Sequence, residues 1–288
     1  MNLTSPSQVY ALLRRHGLRP RKRWGQNFLI DRNTLSNVLR AADGTPADRV
    51  LEIGPGLGTL TRELAHRCRR VVAVEIDPLL VTVLQGETLA DLANVAVIRG
   101  DALEIDLAAI LGTETGLWKA VANIPYYITT PLIERLLTVK ERLERIVLMV
   151  QREVAARLIA APGTDDYGAL SVFVQYHTIP EITARVSRSA FLPPPGVDSA
   201  IVRLLVRREA AAPVRDEALF FQVVRAAFQQ RRKMLLNALT TVPGLTRETA
   251  GAALARAGID PTRRGETLAV ADFARLADAV VEWRGEPA

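Results

Sequence analysis

Residues 50–60 read Val50-Leu51-Glu52-Ile53-Gly54-Pro55-Gly56-Leu57-Gly58-Thr59-Leu60. An apolar run typical of a buried strand meets three glycines and then a helical pattern. Glycine allows the backbone to adopt positive φ and lets a ligand approach without meeting a Cβ atom. The stretch therefore predicts a strand, a ligand-binding turn and a helix in immediate succession.

The glycine turn alone does not define its ligand, because dinucleotide sites use a similarly loose motif. Two details favour a ligand without phosphates. The spacing is Gly-x-Gly-x-Gly behind Glu52, whereas the dinucleotide fingerprint is Gly-x-Gly-x-x-Gly. Pro55 also removes one amide donor that a pyrophosphate would use.

From this turn onward, strand-like and helical patterns alternate. Apolar runs predict strands at 50–53, 71–74, 95–98, 120–122 and 146–150, and helical runs lie near 59–67, 78–90, 130–138 and 151–160. Continuous apolar strands separated by helices indicate a parallel sheet covered on both faces, in the α/β class. Ligands of such sheets bind at the carboxyl ends of the strands.

The C-terminal third has a different pattern. Residues 168–178 fit a helix or a strand, and 179–186 and 199–206 predict a pair of antiparallel edge strands. After a linker at 207–213, only helical patterns remain, at 216–229, 231–240, 246–257 and 271–282. We therefore predict an α/β domain with a basic N-terminal arm over 1–207 and a small all-helical domain over 208–288.

The predicted strands end in polar residues that suit one ligand. Glu75 ends the second strand, where a carboxylate can accept both ribose hydroxyls. Asp101 follows the third and can accept from an adenine amine, and Asn123-Ile124-Pro125-Tyr126 ends the fourth. Each acid taken singly is equally well a helix cap or a loop residue. Together, behind the glycine turn, they suit an adenosine joined to a sulfonium amino acid.

Composition excludes several classes of protein. The chain has 288 residues, 49% of them hydrophobic and 24% charged, which is ordinary for a globular protein. It contains no apolar run near the ~20 residues of a membrane span and no apolar N-terminal signal, so we expect a cytoplasmic protein without membrane contact. With one cysteine and three scattered histidines, no disulfide and no metal site are expected.

Positive charge is concentrated at the N-terminus. The chain carries +6 overall, whereas residues 1–40 contain eight Arg or Lys against one acid, Asp31, a local charge of +7. Such a segment suits a polyanionic partner, because neutralising phosphates releases counterions. A solvated basic terminus is the alternative.

Four separated motifs resemble one family. They cover residues 21–31 (Arg-Lys-Arg-Trp-Gly-Gln-Asn-Phe-Leu-Ile-Asp), 123–126, 191–200 (Phe-Leu-Pro-Pro-Pro-Gly-Val-Asp-Ser-Ala) and 228–233 (Phe-Gln-Gln-Arg-Arg-Lys). They are similar to those of the ribosomal RNA adenine N6-dimethyltransferases, small-subunit branch, the KsgA (RsmA) family. The resemblance runs from about residue 15 to 280. Trp24 stands where Phe or Tyr is usual.

The resemblance implies a Rossmann-like class I S-adenosylmethionine methyltransferase fold and a set of cofactor contacts. Gln26, Asn27 and Leu29 would lie over the methionine end of the cofactor. Glu75 would hold the ribose, Asp101 the adenine amine, and Asn123 both cofactor and substrate. Gly54 and Gly56 would back the cofactor.

The implied substrate is two adjacent adenosines near the 3′ end of 16S ribosomal RNA, each methylated twice in the assembling 30S subunit. The sequence contains no obvious oligomerisation stripe, so we expect a monomer. Hydrogen bonds from the adenine amine to the Asn123 side-chain oxygen and the Pro125 carbonyl would localise the nitrogen lone pair. Tyr126 would stack on the base. Phe191 is a candidate second stacking face, with a core position anchoring its loop as an equal alternative.

Three other functions stay open at this point. One is a large-subunit (23S) adenine N6-methyltransferase of the antibiotic-resistance type, against which Gly25 and the motif at 191–200 argue. Another is methylation of DNA adenine or of a glutamine side chain, where Pro usually stands at the position of Ile124. The last is a non-catalytic ribosome-assembly or transcription factor that keeps the fold.

Overall fold

The computed structural model describes residues 2–21, 24–113, 115–229 and 233–285, apart from the side chains of Tyr126 and Arg284. The chain forms two compact units. The first comprises the described residues up to Ala155 together with Glu181–Val206, and the second comprises Ala156–Pro180 and the described residues from Arg207 onward.

A seven-stranded sheet lies at the centre of the first unit. Its strands are β2 (Arg49–Ile53), β3 (Arg70–Glu75), β4 (Val95–Arg99), β5 (Trp118–Asn123), β6 (Leu143–Gln151), β7 (Thr178–Val186) and β9 (Ser199–Val206). The order across the sheet is β4-β3-β2-β5-β6-β9-β7. The five strands from β4 to β6 are parallel, and β9 runs antiparallel to β6. The predicted parallel core and its antiparallel extension are confirmed.

Helices cover the central strands of this sheet because those strands are apolar on both faces. Val50, Leu51, Val71, Ala120 and Ile146 are all buried. The helices are α1 (Pro6–Arg15), α2 (Arg32–Ala42), α3 (Thr59–Ala65), α4 (Pro78–Val83), α5 (Leu107–Leu111), α6 (Thr129–Leu137) and α7 (Arg152–Ile159). The helix predicted at 78–90 is shorter, because α4 passes into a π-helical turn at Leu84–Thr88, and α5 was not predicted.

Two very short strands outside the large sheet were also not predicted. β1 (Phe28–Leu29) pairs antiparallel with β8 (Phe191–Leu192), with Leu29 opposite Phe191. Both strands have only two residues, too few to show a periodicity of two. Their pairing brings the segment after the basic arm next to the proline-rich loop, and so joins two of the sequence motifs.

The second unit is helical apart from the first residues of β7. It contains α8 (Ala169–His177), α9 (Glu217–Gln229), α10 (Leu235–Ala238), α11 (Arg247–Arg256) and α12 (Val270–Gly285). The predicted helices at 216–229, 246–257 and 271–282 correspond to α9, α11 and α12. Residues 230–232 lie outside the described part of the chain; they include the first two residues of the helix predicted at 231–240, within which α10 lies.

The domain division differs from the prediction at residues 156–180, which join the second unit. Tyr167, Val172 and Tyr176 are buried in its hydrophobic core, and the Tyr167 hydroxyl donates to the Leu268 carbonyl at 2.8 Å. The ambiguous stretch at 168–178 is thus a helix of the helical unit. None of the described helices is long and apolar enough to cross a membrane.

Candidate active site

A cavity opens at the carboxyl ends of β2, β3, β4 and β5 and is closed on one side by residues 24–29. Nearly all of the side chains and glycines predicted from the sequence line it. They are Gln26, Asn27, Leu29, Gly54, Gly56, Glu75, Asp101, Asn123, Pro125 and Phe191. Tyr126 begins a 3-10 turn between β5 and α6, but its side chain lies outside the described part of the structure.

The glycine turn after β2 needs its glycines. Gly54 and Gly56 have φ of 72° and 59°, in the left-handed region that side chains disfavour. A Cβ atom at Gly56 would lie 3.1 Å from Cδ1 of Phe28, and one at Gly54 would lie 3.4 Å from the Asn123 carbonyl oxygen. The turn therefore passes closely beneath β1 and beside the end of β5, which a larger residue would push away.

Glu75 is held in a fixed orientation at the end of β3. Glu75 is only 5% exposed. One of its carboxyl oxygens accepts a hydrogen bond from the Gly56 amide at 3.2 Å, and the other accepts one from the Asp77 amide at 2.9 Å. Burial raises the pKa of Glu75 to about 7. Each oxygen has a second lone pair, so the carboxylate can accept further donors from the cavity.

Glu52, on β2, is a second buried acid of the cavity wall, for which the sequence suggested no role. It is 2% exposed, and its Oε2 atom has no hydrogen-bond partner among the described residues. Burial, with a smaller contribution from the neighbouring Glu75 charge, raises the pKa of Glu52 to about 8. Two protonatable carboxyl groups therefore face a site predicted to bind a cation.

Gln26 connects the N-terminal segment to the end of β3. Its amide donates to Asp77 at 3.0 Å and its oxygen accepts from the Arg21 amide at 2.8 Å. Asp77, itself 2% exposed, also caps α4 by accepting from Leu79 at 3.0 Å. The Gln26 amide group is thus bound beside the strand end expected to hold the ribose, whereas the sequence placed it over the methionine end.

Asn123 and Pro125 are braced from the N-terminal side. The Asn123 amide nitrogen donates to the Asn27 carbonyl at 3.4 Å, which leaves its side-chain oxygen as an acceptor. The Pro125 carbonyl accepts from Ile128 at 3.2 Å, so it is partly used, but a carbonyl has two lone pairs. A Cβ atom at Gly25 would lie 2.8 Å from Cβ of Pro125, so only glycine permits this approach.

Asp101 and Phe191 each have a structural function as well. One Asp101 oxygen accepts from the Leu103 amide at 2.9 Å, so the loop-residue interpretation is correct, and the other oxygen remains for a ligand. Phe191 borders the cavity but is 3% exposed and packs with Leu29 in the core of the unit. Stacking of Phe191 on a base stays a prediction.

Sequence reasoning missed several residues of the cavity wall. They are Trp24, Gly25, Phe28, Glu52, Ile76 and Tyr127. Gly25 is the one that the sequence could have indicated, because a glycine beside a binding motif often marks a close backbone approach. Nothing in the sequence shows that Trp24 lies 4.6 Å from the Arg21 guanidinium in a cation–π contact.

Comparison with known proteins agrees with this geometry. The family model for ribosomal RNA adenine dimethylase matches residues 17–281. The chain belongs to the ribosomal RNA adenine dimethylase family. It is an rRNA adenine dimethyltransferase with the Rossmann-like class I methyltransferase fold, as the four motifs indicated.

Several relatives match over nearly their full length. A ribosomal RNA small subunit methyltransferase A from Pelotomaculum thermopropionicum is 52% identical over 99% of both chains, and one from Moorella thermoacetica is 51% identical over 96% of this chain and 97% of that one. Among solved structures, a dimethyladenosine transferase from Plasmodium falciparum is 26% identical with a TM-score of 0.73, covering 86% of this chain and 95% of that one. The 23S rRNA methyltransferase ErmE is 31% identical with a TM-score of 0.66, covering 88% and 100%.

The raised pKa of Glu52 predicts how stability depends on pH. A carboxyl group whose pKa rises on folding, here from 4.5 to about 8, stabilises the fold fully below the lower value. That contribution is lost as pH rises through the higher value. We expect the cofactor-free protein to lose thermal stability between pH 5 and pH 8.5, and Glu52→Gln to lose less, because only the contribution of Glu75 remains.

Thermal melts of the wild type and Glu52→Gln at both pH values test this expectation. Glu63→Gln on the outer face of α3 serves as the control, because Glu63 is partly exposed and paired with Arg67. Equal losses of melting temperature in the wild type and Glu52→Gln would show that Glu52 does not titrate as described.

Proposed function

We propose that the chain transfers methyl groups from S-adenosylmethionine to N6 of two adjacent adenosines near the 3′ end of 16S ribosomal RNA, dimethylating each within the assembling small subunit. One observation carries the proposal: Asn123 and Pro125, which offer a side-chain oxygen and a carbonyl as acceptors, line the cavity that also holds the glycine turn, Glu75 and Asp101. The acceptors for an adenine amine thus adjoin those for an adenosine cofactor.

The cavity wall fits S-adenosylmethionine by its donors, acceptors and shape. Glu75 is oriented to accept ribose hydroxyls, Asp101 keeps one oxygen for the adenine amine, and the turn at Gly54 and Gly56 offers a surface without Cβ atoms. Ionised Glu52 and Glu75 would favour the positive charge of the sulfonium. When bound, the cofactor supplies an electrophilic methyl group attached to a good leaving group.

The residues at the end of β5 prepare the nucleophile. The lone pair of the adenine amine is delocalised into the ring, so the amine is a poor nucleophile. Two N–H bonds donated to the Asn123 oxygen and the Pro125 carbonyl direct the lone pair out of the ring plane and toward the cofactor side. In-line positioning is then the main task of the protein, and the displaced N6 proton leaves to solvent.

The RNA partner is supported by charge and by the required base conformation. The first forty residues carry +7, which suits a phosphate backbone. Arg21 is already placed against Trp24 and within 3.9 Å of Asp77, so part of this charge holds the N-terminal segment in position. The target adenosine must leave its stack to reach the cavity, as in other enzymes that modify a base.

The small subunit is favoured over the large one by the relatives. Proteins of 44–52% identity over nearly the whole chain are named for the small subunit, whereas ErmE, named for 23S rRNA, is 31% identical. The structural likeness to ErmE makes the large subunit the second candidate.

Methyl transfer to isolated ribosomal subunits tests the proposal. Unmethylated small and large subunits are incubated separately with the enzyme and tritiated S-adenosylmethionine, and the labelled nucleosides are identified and mapped. We expect N6,N6-dimethyladenosine at two adjacent positions near the 3′ end of 16S rRNA. Label confined to 23S rRNA would establish the second candidate, and RNA binding without transfer would indicate a non-catalytic assembly factor.

Removal of the Asn123 amide should separate catalysis from binding. Asn123→Ala loses one of the two acceptors for the adenine amine, so we expect single-turnover methyl transfer to fall on the order of 100-fold or more. Affinity for S-adenosylhomocysteine should weaken only modestly. Asn123→Asp keeps an acceptor oxygen and should retain more activity than Asn123→Ala; near-normal turnover by the alanine variant would exclude the assigned role.

The pKa of Glu75 predicts a pH-dependent cofactor affinity. Ribose hydroxyls donate to the ionised carboxylate, so binding below a pKa of about 7 first requires loss of a proton. The dissociation constant of S-adenosylhomocysteine should rise by up to about tenfold per pH unit as pH falls from 7 to 5. Calorimetric titration checks this, with Glu75→Gln expected to bind more weakly and with a smaller pH dependence. A flat wild-type profile would contradict it.

A further inference from the structure

Tyr127 is an aromatic side chain at the cavity mouth that the mechanism above does not use. It lines the cavity and is nevertheless 64% exposed, the largest exposed fraction among the large hydrophobic side chains of the described residues. An exposed aromatic ring is common on protein surfaces. One that borders a substrate cavity presents a flat apolar face where the substrate must enter.

The backbone that carries Tyr127 is held in place on both sides. It is the middle residue of the 3-10 turn Tyr126–Ile128, which is closed by the hydrogen bond from Ile128 to the Pro125 carbonyl. Ile124 before the turn is buried, and α6 directly after it is anchored by the buried Leu132, Ile133 and Leu136. The ring is thus exposed on a rigid support that also fixes Pro125.

The proposed reaction creates a need for such a surface. An adenosine that enters the cavity leaves its stack and exposes the face of the neighbouring base, at an energetic cost. Base–aromatic stacking compensates for such a loss and tolerates any base. Because the two proposed target adenosines are adjacent, one of the two neighbours exposed in this way is the other target.

We propose that Tyr127 is a substrate-binding residue that stacks on the adenosine next to the one inserted in the cavity. This inference rests on the proposed function and deepens it, because it assigns a position to the second target while the first is methylated. In this arrangement one adenosine lies in the catalytic cavity while the other stacks on Tyr127, and the two exchange positions between the methylations.

A fluorescent base analogue tests the contact directly. Small subunits are reconstituted with 16S rRNA in which one of the two adenosines is replaced by 2-aminopurine, which has no N6 amine and fluoresces less when stacked. Two such RNAs place the analogue on the 5′ or the 3′ side of the remaining adenosine. We expect quenching in the wild-type complex with S-adenosylhomocysteine for at least one of them.

The variants then assign the quenching to Tyr127. Tyr127→Ala should restore fluorescence and raise the dissociation constant for the subunit about 5- to 160-fold, the range of one base–aromatic stack. Tyr127→Phe should keep both values within about threefold, because the ring carries the contact.

Leu117→Ala is the control: Leu117 is 36% exposed and precedes β5 at the end opposite Asn123. Unchanged affinity of Tyr127→Ala for S-adenosylhomocysteine would show an intact fold.

The outcomes separate this inference from the function on which it rests. If the wild type methylates the remaining adenosine but fluorescence and affinity are the same in Tyr127→Ala, the stacking role is wrong and the function stands. If the wild type transfers no methyl group to either RNA, although it does bind them, the proposed function fails and the inference with it.

Discussion

The parallel hydrogen-bonded register of β4, β3, β2 and β5 is the constraint on which the site depends. Ile53 lies opposite Val74 and Ala122, and Glu75 lies opposite Arg99, so the strands end at the same edge of the sheet. Residues that are about 20 to 25 apart in sequence therefore enclose one cavity. A change of register by one residue would turn Glu75 toward the other face of the sheet and remove it from the glycine turn.

The N-terminal segment completes the cavity through backbone contacts more than through side chains that reach into it. Gly25 lies against Pro125, and the Asn27 carbonyl accepts from Asn123. The pairing of β1 with β8 fixes this segment beside the buried Phe191. Arg21, which precedes this segment, lies within 3.9 Å of Asp77 and against Trp24 of the cavity wall.

Features that depend on a local sequence pattern could be predicted from the sequence. Features that depend on contacts between segments far apart in the chain could not. The strands, the glycine turn, Glu75 and Asn123 could be predicted because apolar runs define strand ends and parallel strands end together. The hydrogen bond from Gln26 to Asp77 could not be predicted, because the two residues are 51 positions apart and no local pattern connects them. The inclusion of residues 156–180 in the second compact unit also depends on a distant contact, since the Tyr167 hydroxyl donates to the Leu268 carbonyl.

The residues at the end of β5 are suited to positioning a substrate and not to acid–base catalysis. An adenine amine next to a strong leaving group needs its lone pair directed and its ring fixed, and neither task requires a basic side chain. Asn123 is held by Asn27, Pro125 fixes its own φ, and the turn after it is closed by Ile128 and continues into an anchored helix. The buried acids, Glu52 and Glu75, lie on β2 and β3 and not at the end of β5, and burial raises their pKa values to about 8 and about 7. The acidic side chains therefore lie on β2 and β3, and the neutral acceptors lie at the end of β5. A carboxylate beside the amine would attract it but would not direct its lone pair.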